Sequence, residues 1–115
     1  MTQVNSDLTV ITGTVNKTSY VTDGVFELRK IGKIVFFTSR TGITLAGLSS
    51  AGQVIITLPE GFRPSVNIRV PSTVVMGGEF VARELSISSS GTCDLQGSGV
   101  QAATRLVFCA TFITA

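Results

Sequence analysis

The chain has 115 residues, of which 43% are hydrophobic and only 14% charged, against roughly 25% charged in an average globular domain. That length supports one core and one domain, the hydrophobicity excludes a disordered chain, and 27 Ser and Thr make the polar surface largely neutral. Nine basic and seven acidic residues leave a net charge of +2 without a basic stripe, which argues against nucleic acid as a partner.

Residues 1–10 hold neither the basic stretch nor the apolar run of a signal peptide, so synthesis in the cytoplasm is expected. After them the pattern is β throughout. Runs rich in Val, Ile, Thr and Phe predict strands at Leu8–Thr12, Thr14–Val21, Val25–Ile31, Lys33–Thr38 and Ile43–Leu48. Further strands are expected at Gln53–Leu58, Val66–Val75, Glu79–Ile87, Thr92–Leu95 and Arg105–Thr114. Asp23-Gly24, Gly77-Gly78 and Ser90-Gly91 read as the tight turns between them. The uncharged run from Thr41 to Pro59 is broken by Gly42, Gly47 and Gly52 and cannot serve as a membrane span. No dozen-residue window carries a helical apolar stripe, so the expected fold is an antiparallel β-sandwich or jelly-roll-like barrel.

Alternation separates the faces of Val25–Ile31, where Phe26 and Leu28 oppose Glu27 and Arg29. Two strands lack that separation. In Lys33–Phe37, Ile34 and Phe36 share one side and Val35 and Phe37 the other. In Arg105–Thr114, Leu106, Phe108, Ala110 and Phe112 alternate with Val107, Cys109, Thr111 and Ile113. A second apolar face needs a covering loop or another subunit. A subunit interface is expected through Val35, Phe37, Val107 and Ile113.

Histidine is absent, which removes imidazole-activated nucleophiles and the commonest metal ligand. Cys93 and Cys109 are too few for a structural zinc site, so neither a metal nor a cofactor is expected. If Thr92–Leu95 and Arg105–Thr114 form a hairpin, the two cysteines come to lie opposite one another, as buried free thiols or, in the minor reading, as a disulfide. Paired carboxylates for glycoside cleavage must lie about 5–9.5 Å apart. Asp23 and Glu27 are about 13 Å apart along one strand face at roughly 3.3 Å per residue, and Glu79 and Glu84 point to opposite faces. The chain therefore reads as non-catalytic, with no catalytic residue assigned.

Gly52-Gln53-Val54-Ile55-Ile56-Thr57-Leu58-Pro59-Glu60-Gly61-Phe62-Arg63-Pro64-Ser65 resembles a segment of the C-terminal head domains of bacteriophage baseplate and tail-fibre proteins, chiefly from phages and prophages of Gram-positive bacteria. Those domains run from a "Gly-x-Ile-Val" strand through "Leu-Pro-x-Gly-Phe-Arg-Pro" to a hairpin and a terminal apolar strand. Here the elements are Gly32–Phe37, Leu58–Pro64, Leu85–Leu95 and Arg105–Ala115, with Cys93 replacing a small aliphatic residue. The resemblance covers about Thr22 to Ala115, and its distinctive part is Leu58–Pro64. By its own chemistry that part is a corner, since Pro59 and Pro64 cannot donate to a ladder and Phe62 can plug inward with Arg63 outward.

The resemblance implies a single head domain over residues 1–115, with residues 1–13 as a stalk or linker remnant, forming a homotrimer at the virion tail tip. It implies recognition of a host cell-wall saccharide, contacts with other baseplate or tail proteins, and no membrane insertion. The alternatives are a purely structural trimeric tip and a secreted trimeric ligand of the tumour-necrosis-factor or complement type. Binding residues of the family have no motif to carry over. Polar groups in predicted loops supply the candidates: Tyr20, Asp23, Arg40, Asp94, Gln96 and Gln101.

Overall fold

The computed structural model describes residues 9–47, 53–96 and 104–114. In chain order the strands are β1 (Val10–Gly13), β2 (Asn16–Lys17), β3 (Val21–Asp23), β4 (Phe26–Ile31), β5 (Ile34–Ser39), β6 (Ile43–Leu45), β7 (Val54–Thr57), β8 (Ile68–Met76), β9 (Glu79–Ile87), β10 (Thr92–Leu95) and β11 (Thr104–Ile113). All pairings are antiparallel and join into one sheet in the order β1-β4-β5-β11-β8-β9-β10-β7-β2, with β6 beside β11 and β3 beside β6. The fold is thus all-β and antiparallel, as the alternation and turn signals predict.

The longest hairpin shows how local sequence fixes register. Gly77 and Gly78 take φ of 56° and 82°, a conformation costly for any residue with a Cβ, and it matches the twist of the flanking strands. The turn pairs Met76 with Glu79 and carries the ladder back to Ile68 and Ile87.

β11 joins the two halves of the sheet. Its Arg105–Phe108 segment pairs with β8, and its Cys109–Ile113 segment pairs with β5. The ladder with β8 stops at the Phe108–Ser72 pair, because the next partner is Pro71, which has no N–H to give. Beyond that point Ser65 N–H donates to the Ile113 carbonyl at 3.1 Å, and Pro64 bridges to Thr114.

The sheet wraps around a core that includes Leu28, Phe37, Ile43, Leu45, Leu85 and Leu106, all at most 1% exposed. Each such side chain contributes about 1.5–3 kcal/mol by leaving water. Phe26, Phe37 and Phe108 meet within it, with centroids 4.8 Å apart for Phe37 and Phe108 in an edge-on arrangement.

The Leu58–Pro64 segment is the expected corner. Phe62 is buried beneath Lys30, whose ammonium lies 4.9 Å from the ring centroid and donates to the Gly61 carbonyl at 2.7 Å. Arg63, expected to point outward, instead folds back and donates through Nε to the Leu58 carbonyl at 3.0 Å.

Four expectations are corrected. The predicted strand Thr14–Val21 splits into β2 and β3, because Thr18 Oγ1 donates to the Val54 and Ile55 carbonyls and Val21 N–H turns back to Thr18. Residues 10–13, placed by the resemblance in a stalk or linker remnant although the pattern also predicted a strand at Leu8–Thr12, form β1 and pair with β4. The supposed Cys93–Cys109 hairpin does not exist. β10 pairs with β7 and β9, β11 with β5, β6 and β8, and the cysteines are free, Cys93 buried and Cys109 exposed. Finally, Val35 and Phe37 are 0% exposed and belong to the chain's own core, so they cannot face another subunit; Ile34 and Phe36 are the outward residues of β5.

Candidate functional site

Pairing of β8, β9 and β10 sets one row of outward polar residues. Arg69 lies opposite Ser86, and Ser86 opposite Asp94. One step along the hairpin, Pro71 faces Glu84 on the same side. Arg69 and Glu84 approach to 3.6 Å with both side chains more than half exposed, so the pair organises the surface without adding much stability.

Past the end of β10, Gln96 N–H donates to the Glu84 carbonyl at 2.8 Å, holding the Gln96 side chain near Asp94. The side-chain amide donates to Asp94 Oδ2 at 2.5 Å, and the main-chain carbonyl of Gln96 accepts from Arg83 Nη1 at 3.4 Å. Partial burial pushes the Asp94 carboxyl above its ordinary value, and the charge of Arg69 and the amide of Gln96 offset part of that rise.

Beside this cluster lies an open groove of about 360 Å³ lined by Pro71, Ser72, Ala82, Arg83, Glu84 and Gln96. Pro71 and Ala82 offer apolar contact, Glu84 accepts hydrogen bonds, and Gln96 both donates and accepts. Such an arrangement suits a hydroxylated ligand with an apolar face. Among the described residues no group of three or more His, Cys, Asp and Glu gathers in metal-binding fashion.

The sequence candidates divide. Asp94 and Gln96 come together at the groove. Tyr20 packs half-buried against the core and accepts a hydrogen bond from Gln53 Nε2 at 2.6 Å, which makes it structural and not a free stacking surface. Asp23 closes β3 opposite Thr44, and Arg40 is exposed in the turn after β5, its N–H bonded to the Val25 carbonyl at 2.9 Å. Gln101 lies outside the described residues. Sequence reasoning overlooked Arg69 and Pro71, and weighed Glu84 only as half of a catalytic carboxylate pair. Their signal was the alternation of Glu79–Ile87, which puts Glu84 and Ser86 on one face, together with a proline inside a predicted strand.

A second surface lies on the outer side of β1, β4, β5 and β11. Cross-strand partners Val10–Ile31, Ile31–Ile34 and Ile34–Ile113 form one transverse apolar row. Val10, Ile34 and Ile113 are 51%, 46% and 61% exposed. Phe36 stands outward nearby at 40%, and Val107 is outward at 45% further along β11, where that strand pairs with β8.

By sequence, neither a family model nor a curated protein matches this chain. By structure, it is similar to the crystal structure of the head domain of phage bIL170, presented among the receptor-binding domains of lactococcal phages. The TM-score is 0.74 at 15% sequence identity, and the match covers 93% of this chain and 100% of that one. The TM-score and the near-complete mutual coverage lead to one conclusion: this chain has the fold of the phage bIL170 head domain.

Proposed function

We propose that the chain is the receptor-binding head of a phage tail or baseplate, acting as a homotrimer that holds a host cell-wall saccharide by non-covalent contacts and without catalysis. The observation that carries this reading is the groove beside Asp94, where carboxylate, amide and apolar groups converge on an all-β scaffold shared with a phage receptor-binding domain. Neutral sugars suit it, because hydroxyls are held by acceptors and amides and not by net charge. The apolar row on β1, β4, β5 and β11 supports contact between copies, since an exposed band of β-branched residues is the kind of surface a subunit covers. Virion location and contacts with other tail proteins belong to the same reading.

The test is a pull-down of the protein with cell walls of its host, followed by titration of released wall polysaccharide. Wild-type protein is expected to bind, and Glu84→Gln combined with Gln96→Ala to weaken binding about tenfold, the scale of one or two lost hydrogen bonds. Wild-type protein that leaves wall polysaccharide unbound while host adsorption proceeds points instead to a structural tip.

A further inference from the structure

Phe80 is the most exposed large apolar residue among those described, at 77%. It stands next to the Gly77-Gly78 turn on the outward face of β9, opposite Val75. The next residues on that face are Ala82 and Glu84, both lining the groove. At roughly 3.3 Å per residue, Phe80 lies about 13 Å along the strand from Glu84, a span longer than one sugar ring. Between them β9 presents outward only the methyl of Ala82, with Thr73 of β8 opposite it, so among the described residues of β9 no bulky side chain stands between the groove and the ring. None of the aromatic contacts in the core involves Phe80.

Resting on the reading of the groove as a saccharide site, we infer that the site extends along the outer face of β9 and that its ligand is an oligosaccharide. One ring is bound by Glu84 and Gln96, and a ring further along stacks its apolar C–H face on Phe80. The chemistry at the two ends is complementary. A hexose offers hydroxyls at its edge and C–H groups on its faces, which match the polar end and the aromatic end of this strip respectively. A single sugar fills the groove and never reaches Phe80.

The experiment is calorimetric titration of wild type, Phe80→Ala, Phe80→Tyr and Glu84→Gln with host cell-wall polysaccharide hydrolysed and fractionated by length. Light scattering of each variant is run alongside. The inference expects affinity to rise with fragment length in wild type. It expects Phe80→Ala to lose about tenfold on the longer fragments alone, Phe80→Tyr to restore that loss, and Glu84→Gln to weaken fragments of every length. Equal affinity of wild type and Phe80→Ala at all lengths, with Glu84→Gln still weakened, overturns the extension and leaves the groove standing. A Phe80→Ala variant of lower oligomeric mass assigns Phe80 to a contact between copies and also overturns it. Absence of binding by wild type at any length removes the underlying reading as well.

Discussion

Cys93 shows how strongly one position depends on its surroundings. It is fully buried on β10, its Sγ–H contacts the Gly91 carbonyl at 3.6 Å, and its thiol is pushed up to about 12 by burial and then by the charge of Asp94. Both causes disfavour the thiolate, so the proton is retained across the physiological range and the sulfur behaves as a small apolar group. In a Cys109→Ser background, iodoacetamide at pH 8 is expected to leave the native protein unlabelled and to modify Cys93 once guanidinium unfolds it. Prompt labelling of the folded protein contradicts this burial. Asp94 on the same strand is outward and takes part in the surface cluster, so adjacent residues of one strand serve core and site in turn.

At the scale of elements, β11 shows what a sequence can and cannot reveal. Its position, length and alternation were legible from Arg105 to Thr114, as were those of β9 and β10, since β-branched runs and Gly turns mark them directly. Which face turns inward was not legible for β5, because Ile34, Val35, Phe36 and Phe37 offer no polar residue to label the outside. Partners of β10 and β11 were not legible either. They are set by contacts remote in sequence, and the assumption that neighbouring strands pair placed Cys93 against Cys109 wrongly. At the site, Asp94 and Gln96 were legible as polar groups at a strand end, whereas Glu84 and Pro71 required the register of β8 on β9. The face of β11 can be tested directly. Leu106, 0% exposed, is expected to cost about 3 kcal/mol on change to Ala, and the exposed Thr111 on the same change to stay within about 0.5 kcal/mol. Urea unfolding of both variants measures the difference, and equal costs contradict the assignment of faces.

At the scale of the whole molecule, the shortage of charge acquires a location. The outward row Val10, Ile31, Ile34 and Ile113 crosses four adjacent strands, with Phe36 exposed at 40% beside it. The charged residues on the outer face of β4 are Glu27 and Arg29, which pair with one another at 2.8 Å, so the sheet offers no unpaired charge from that strand to oppose an apolar partner. Strand edges and flat apolar faces are where copies meet most readily. The proposed trimer therefore predicts that Ile34→Glu combined with Ile113→Glu, which places like charges directly opposite one another across β5 and β11, lowers the mass seen by light scattering from three chains to one. Both residues are outward, so near-ultraviolet circular dichroism and cooperative unfolding are expected to persist, apart from a loss of about 0.5–1 kcal/mol from the like-charge pair. A wild-type chain that is already monomeric at working concentration rejects the trimer. A variant that stays assembled moves the interface off this row and onto another face of the sheet.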